Sequence, residues 1–326
     1  MTQEDARLVV AVPPSEGLRA HCARLLPQIA TDFVGPDARG PWTEAEAVLI
    51  GTPARDLPHW TANSTPKLRF VQRLFTGLDG FPMDRFPESV EIAGNGGAYA
   101  PFVAEHALAL ALGVSHRLRE GHARVAEGRL RPPLSNRYLD GKVALVLGLG
   151  EIGRATARRL AGLGMHVEAV TRAGNPDPEV RRSYPAAALR EAVSGAMVVV
   201  DCRPLTRSTL GTIDRAVLEA MRPDAILVNV GRARTVNEAD LRAHLASHPE
   251  FEAAFDVFWH EAFETGALPE GPGLAGLPNF LGTPHMAGIG PEARDRAERM
   301  AVENLLRFFS GEKPRYIADR DEYRFG

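Results

Sequence analysis

Short apolar runs alternate with amphipathic stretches along nearly the whole chain. LVVAV (8–12), AVLIG (47–51) and LRFVQRL (68–74) are rich in branched side chains and have the length of strands. The segment from Ser15 to Ile29, between the first two, carries helical spacing. From Phe102 to Ala126 an Ala/Leu-rich stretch with few breakers predicts a helix long enough to bridge two domains. A second series follows: VALVLG (143–148), a helix from Ile152 to Leu163, HVEAV (166–170), AMVVVDC (196–202), AILVNV (225–230) and FEAAFDVF (251–258). Pro223 and Pro249 stop the helices before the last two runs. Asn237, with Asp240 three residues on, reads as the N-cap of a helix over Glu238 to Ser247. After FLGTPH (280–285), Pro291 opens a last amphipathic helix that closes near Gly311 and Pro314.

Strands alternating with helices predict parallel sheets covered on both faces. The expected architecture is two doubly wound α/β domains, the second Rossmann-like, with the active site in the cleft between them. No repeat or low-complexity linker separates the halves, so the chain is expected to leave one domain, build the other and return. Residues 1–105 with 287–326 would form a discontinuous domain, and 106–286 the other.

Composition changes this picture little. Of 326 residues, 44% are hydrophobic and 24% charged, ordinary values for a globular protein. A formal net charge of −3 offers no global positive field, so neither nucleic acid nor an anionic membrane is an expected partner. The N-terminus lacks the basic start and apolar length of a signal peptide, and Pro101 to Val114, interrupted by Glu105 and His106, is too short to span a bilayer. A cytoplasmic location is the expectation. Cys22 and Cys202 have no ligand or redox spacing and read as inert thiols in apolar surroundings. His244 and His248 lie four apart on a helix, but no carboxylate follows in metalloprotease order, so no metal is expected.

The strongest chemical signal is Gly148-Leu149-Gly150-Glu151-Ile152-Gly153, placed between an apolar strand and a helix. Gly148 would allow a tight turn, Gly150 would let backbone approach a pyrophosphate, and Gly153 would let helix and strand pack closely. The phosphates would sit on the helix N-terminus. NAD-selective sites end the next strand in an acid; here Thr171 and Arg172 stand there. A guanidinium can clamp a 2′-phosphate that a carboxylate would repel, so NADP is favoured and NAD remains possible. An exposed arginine with no ligand is the alternative.

An anion clamp and a proton donor could come from three further segments. Asn229-Val-Gly-Arg232, Asp256-Val-Phe-Trp-His-Glu261 and Thr283-Pro-His285 each lie at or just past the carboxyl end of a predicted strand. Together with the glycine fingerprint and Pro204-Leu205-Thr206, their order and spacing resemble the D-isomer-specific 2-hydroxyacid dehydrogenases, glyoxylate/hydroxypyruvate reductases among them. Thr76-Gly77-Leu78-Asp79 and Val103-Ala104-Glu105-His106 extend the resemblance over nearly the whole chain.

The resemblance implies an NAD(P)-dependent oxidoreductase that moves a hydride between the cofactor and a small 2-keto or 2-hydroxy acid, with 1–105 and 287–326 as its substrate domain and 106–286 as its dinucleotide-binding domain. His285 would be the general acid of reduction, Glu261 would fix its tautomer, and Arg232 would bind the substrate carboxylate and polarise the keto oxygen. Backbone amides of Thr76 and Gly77 would complete the carboxylate cradle. Asp256 matches the acid that contacts the nicotinamide amide, with a structural acceptor role as the alternative. Pro204, Thr209, Val230, Gly231, His285 and Gly288 would join Glu151 and Ile152 around the cofactor. A homodimer is implied, formed through the helix after Pro101 and the segment before Gly141.

Several positions depart from the family pattern: Ala233 for Gly, Ala262 for Pro, Cys202 for His. Arg234 competes with Arg232, His260 is read as peripheral, and Trp259 either narrows the pocket or packs on the core. Arg73, three residues before Thr76, either contacts a substrate phosphate, as in the phosphoglycerate branch, or faces solvent. Alternatives within the family are phosphoglycerate-, formate- or phosphite-type dehydrogenases. An alternative of another class is a non-catalytic, nucleotide-sensing corepressor.

Overall fold

The computed structural model describes residues 6–34, 40–51, 64–130, 135–261 and 273–324. The chain divides into two compact units, Met1–Tyr99 with Ile289–Gly326, and Ala100–Gly288. In chain order the first unit contributes β1 (Arg7–Val10), α1 (Glu16–Leu25), β2 (Ala30–Phe33), β3 (Ala47–Ile50), β4 (Phe70–Arg73) and β5 (Glu91–Ala93). The second follows with α2 (Ala100–Ser115), α3 (Leu118–Ala126), β6 (Val143–Leu147), α4 (Glu151–Gly162), β7 (His166–Thr171) and β8 (Arg182–Pro185). It continues through α5 (Leu189–Val193), β9 (Val198–Asp201), α6 (Arg215–Ala220), β10 (Ile226–Asn229), α7 (Glu238–Ser247), β11 (Glu252–Phe255) and β12 (Phe280–Gly282). Then α8 (Pro291–Phe309) and α9 (Arg320–Tyr323) return to the first.

The first unit holds a parallel sheet of order β2-β1-β3-β4-β5. Side chains alternate across it. Leu8 and Val10 pack with Leu18 and Cys22 of α1 and with Ala297, Ala301 and Leu305 of α8, whereas Val9 joins Val48, Val71 and Ile92 on the other face. Burial on both faces explains why β1 and β3 read as unbroken apolar runs.

The second unit holds a parallel sheet of order β12-β11-β10-β9-β6-β7-β8. Counted from its own first strand, β6, six of these strands follow the dinucleotide-binding order, with β12 added at one edge. Leu145, Leu147, Val199, Leu227 and Phe255 fill one face. Ala104 of α2 meets Ala155 of α4 in a small satellite core, where only short side chains let the helices approach. The order reverses between β6 and β9, and crevices at such points are where open α/β sheets bind ligands.

The structure corrects several expectations. The single helix over Phe102–Ala126 is two, because Arg117 takes a left-handed conformation (φ 50°) between α2 and α3. That turn brings the Arg117 guanidinium to the Ser135 carbonyl (3.2 Å) and to the Glu252 carboxylate (3.6 Å). Arg137 also pairs with Glu252 and donates to the carbonyls of Asp224 and Glu250. Three short strands, β2, β5 and β8, lie beyond the predicted elements; each is the last strand at an edge of its sheet and lacks a full apolar face, and β5 is bridged on its outer side by Ile317 opposite Ala93. By contrast α7 spans Glu238–Ser247, and the Asn237 side chain accepts from the Asp240 amide (3.1 Å). Among the described residues, no helix is long and apolar enough to cross a membrane.

Candidate active site

The glycine-rich turn between β6 and α4 is shaped by contacts that exclude larger residues. Gly148 has φ 87°. A Cβ on Gly153 would lie 1.8 Å from the Gly148 carbonyl oxygen, so α4 could not start this close to the strand with any other residue. Gly150 is the N-cap of α4, caps with no side chain, and has nothing within 4 Å of where its Cβ would point. The first amides of α4 stand at the positive end of the helix dipole. At its far end α4 closes in a Schellman arrangement: Gly164 (φ 82°) donates to Ala161, and Met165 to Leu160. These features fit a dinucleotide phosphate at the turn.

Thr171 ends β7, and its hydroxyl accepts from the Gly174 amide (2.9 Å). Arg172 follows, exposed, where an NAD-selective site would place a carboxylate. The nearest acids along the chain are already paired: Asp177 with Arg154 (2.5 Å) and Glu179 with Arg158 (2.9 Å).

Past β9, Pro204 is exposed and its carbonyl accepts from the Thr209 hydroxyl (2.7 Å), so Thr209 shapes the turn that presents Pro204. Beside it lies a pair that the sequence pattern did not single out. Asp201, fully buried, takes the Arg203 guanidinium at 2.9 and 2.7 Å, and Arg203 also reaches the Thr212 hydroxyl (2.9 Å). The Arg203 side chain lies against Gly148 and its carbonyl against Gly231, where a Cβ would come within 2.4 Å. Cys202 is thus flanked by an ion pair, and its thiol lies 3.7 Å from the Thr156 hydroxyl rather than in wholly apolar surroundings. Burial pushes that thiol up to about 12, consistent with an inert group.

Past β10, the Asn229 side chain donates to the Arg232 carbonyl (3.1 Å) and accepts from the Gly231 amide (3.0 Å). The Thr235 hydroxyl lies 2.8 Å from both the Arg232 carbonyl and the Asp201 carboxylate. These bonds set the loop that carries Arg232, which is half-buried, whereas Arg234 is exposed. Val230 is buried.

Past β11 and β12 come the groups with acid–base chemistry. His285 Nδ1 lies 2.9 Å from Glu261 Oε2, and Glu261 Oε1 accepts from the Phe258 amide (2.8 Å). His285 itself has φ 51°, a conformation non-glycine residues adopt at a cost. Asp256, 1% exposed, accepts from the Thr283 hydroxyl (2.6 Å) and the amides of Met286 and Ala287 (both 2.9 Å). His106 Nε2 sits 2.9 Å from the same hydroxyl and 3.4 Å from the carboxylate. Burial pushes the Asp256 carboxyl up, but the hydrogen bonds from His106, Thr283 and the two amides outweigh it and hold the group below the usual carboxylate range. Four donors converge on this one carboxylate.

Because the strands are parallel, all these segments lie on one edge of the sheet. In the order β12, β11, β10, β9, β6 it carries His285, Glu261, Arg232, Pro204 and the glycine turn, with Arg172 one strand further at β7. At about 4.8 Å per strand, β12 and β6 are roughly 19 Å apart.

In the first unit, Thr76 donates its hydroxyl proton to the Asn95 carbonyl (3.0 Å). Among the described residues, the amides of Thr76 and Gly77 have no backbone acceptor. Arg73 does not simply face solvent: it donates to the carbonyls of Gly51 (3.2 Å) and Gly77. Trp259 stacks on Phe255 (5.6 Å) and donates to the Val236 carbonyl (2.8 Å), the core role of its two readings. His260 is exposed, and Gly288 closes the second unit. Ala262 lies outside the described residues.

Sequence pattern assigned no role to His106, Thr283, Asp201, Arg203 or Thr235. An acid and an arginine two apart at a strand end were a visible signal for the Asp201–Arg203 pair; for His106 and Thr283 only their place in the motifs was.

Residues 108–287 match the family described as D-isomer specific 2-hydroxyacid dehydrogenase, NAD binding domain. D-3-phosphoglycerate dehydrogenase of Mycobacterium bovis is 30% identical over 271 residues, 82% of this chain but 50% of its own length, so the chain spans about half of that relative. Glyoxylate/hydroxypyruvate reductase A of Arabidopsis thaliana is 30% identical over 83% of this chain and 88% of its own. The crystal structure of a D-isomer specific 2-hydroxyacid dehydrogenase from Xanthobacter autotrophicus, in complex with NADPH and MES, is 27% identical and superposes with a TM-score of 0.83, covering 96% of this chain and 98% of the other. With over half its length matched to one family and similarity at 30% across most of a curated relative, the chain belongs to the D-isomer specific 2-hydroxyacid dehydrogenases.

Proposed function

We propose that this chain is a reductase of short, unphosphorylated 2-keto acids of the glyoxylate or hydroxypyruvate kind, working with NADP(H) in preference to NAD(H). The observation that carries the reading is the His285–Glu261 pair, 2.9 Å apart, on the same sheet edge as Arg232 and the glycine turn.

A bound nicotinamide nucleotide supplies the hydride to C2 of the acid in reduction and takes it up in oxidation. Everything else falls to side chains and amides of the chain. Glu261 occupies Nδ1 of His285, so the proton is exchanged with the substrate oxygen at Nε2. Arg232 is assigned to the substrate carboxylate, where a planar guanidinium gives charge-assisted bonds and polarises the neighbouring keto oxygen. The amides of Thr76 and Gly77 are assigned as further carboxylate donors on the strength of their motif. Gly148, Gly150, Glu151, Ile152 and Gly153 are assigned to the pyrophosphate, and Pro204, Val230, Gly231 and Gly288 to the remainder of the cofactor.

NADP is favoured because Arg172 stands where a carboxylate would otherwise repel a 2′-phosphate, and because the X. autotrophicus relative was crystallised with NADPH. An unphosphorylated substrate is favoured because the Arg73 guanidinium is engaged by two backbone carbonyls. The reading includes a homodimer. No residue of α3 is buried, and Leu118 (61% exposed), Val125 (62%), Leu130 (89%) and Tyr138 (69%) present apolar surface on and just beyond it, which a second copy would cover.

The test is an absorbance assay at the reduced-cofactor band, with NADPH and NADH against glyoxylate, hydroxypyruvate and 3-phosphohydroxypyruvate, and with the oxidised cofactors against formate. Turnover of the first two with NADPH supports the proposal, and turnover of only the phosphorylated acid or formate overturns it. His285→Gln is expected to cost about 100-fold or more in kcat while NADPH binding persists; near-normal turnover would refute the acid–base assignment.

A further inference from the structure

On α2, His106 is a side chain that neither the proton nor the hydride needs to touch. Its side chain is 20% exposed, and Nε2 points at the Thr283 hydroxyl (2.9 Å) and the Asp256 carboxylate (3.4 Å). The Thr283 hydroxyl has one proton, and Asp256 Oδ1 at 2.6 Å is the stronger acceptor for it. The hydroxyl oxygen then accepts from His106, which makes the Nε2 of His106 the donor at the head of a three-residue chain.

That chain ends on the backbone that presents His285. Asp256 takes the amides of Met286 and Ala287, directly after the histidine, and Thr283 stands two residues before it with its amide on the Phe255 carbonyl (2.9 Å). His285 between them holds φ 51°, which survives only while its surroundings enforce it. We propose that His106 is a positioning residue for the proton-transfer site: by donating to Thr283 and Asp256 it locks the 283–287 backbone in the strained form that aims the His285 imidazole. Without that donor the Thr283 oxygen and the buried carboxylate each lose a partner, and the loop gains freedom to relax its left-handed residue. A misplacement of the imidazole by an ångström is enough to cost turnover heavily.

This inference rests on His285 as the proton donor, but it can be read without turnover. The experiment compares His106→Ala and His106→Gln with the unsubstituted protein, loaded with NADPH. It measures kcat and KM for glyoxylate, thermal stability, and the ring Cε1–H resonance of His285, assigned from its loss in His285→Gln. In His106→Ala, kcat should fall about tenfold while KM for glyoxylate stays within about twofold, and the His285 resonance should shift or broaden. His106→Gln keeps an amide donor at the end of a side chain of similar reach and should restore most of both. Wild-type kcat with an unmoved His285 resonance in the alanine variant overturns the inference. So does a glutamine variant as impaired as the alanine one at unchanged thermal stability. If no keto acid is reduced at all, the proposed reaction falls, while a moved or unmoved His285 resonance still supports or overturns the positioning role of His106.

Discussion

Glu261 holds His285 through one carboxylate oxygen, 2.9 Å from Nδ1, while its other oxygen is pinned by the Phe258 amide at 2.8 Å. The carboxylate is therefore oriented by backbone before it orients the imidazole. Glu261→Gln preserves the size of the side chain but removes the charge, and its amide can turn a donor towards Nδ1. Turnover should fall by about 100-fold or more, with the dissociation constant for NADPH, read by fluorescence, unchanged within about twofold. Loss of NADPH binding in parallel would show that the pair is structural.

The proposed preference for NADP rests on the charge at the end of β7. Arg172→Ala should raise the dissociation constant for NADPH by about tenfold and leave that for NADH nearly constant, since one charge-assisted contact to a phosphate is worth roughly 1.5–3 kcal/mol. Equal effects on both would remove the argument for NADP.

Gly153 has no room for a methyl group. A Cβ there meets the Gly148 carbonyl oxygen at 1.8 Å, and that atom belongs to backbone, which cannot swing aside. Gly153→Ala should cost about 1–3 kcal/mol in urea unfolding and weaken both nicotinamide cofactors alike, because the start of α4 must move. Wild-type stability would mean that the turn is more yielding than its packing implies.

His244 gives a pH dependence unrelated to chemistry. It lies 7% exposed, stacked on His248 at 4.0 Å and edge-on to Phe251 at 4.6 Å. Burial first, and the charge of His248 second, push its pKa from 6.5 down to about 4. Between those values the unfolded chain binds a proton that the folded chain refuses, so stability is full above about pH 6.5 and declines as pH falls towards 4. His244→Phe should flatten that decline in melting temperature between pH 7 and 4.5 without lowering it at pH 7. An unchanged slope would assign the acid sensitivity elsewhere.

Much of this protein is legible from its residues in order. Parallel strands buried on both faces must be apolar throughout, so β1, β3, β6, β9 and β10 announce themselves, and the glycines between β6 and α4 do so because a tight turn and a bare helix start admit little else. The edge strands β2, β5 and β8 do not, since a short strand at the edge of a sheet demands no continuous apolar pattern. The break at Arg117 is equally silent, because the groups that reward it, Ser135 and Glu252, arrive much later in the chain.

The same division runs through the site. Glu261, His285 and Arg232 could be picked out as candidates because the order and spacing of their segments resemble a family motif. That Asp256 serves the His285 loop and that His106 stands behind Thr283 could only be settled by folding. Hydrogen bonds and ion pairs depend on distances between atoms tens to well over a hundred residues apart, and a linear order of side chains contains no such distances until the sheet brings its strand ends together.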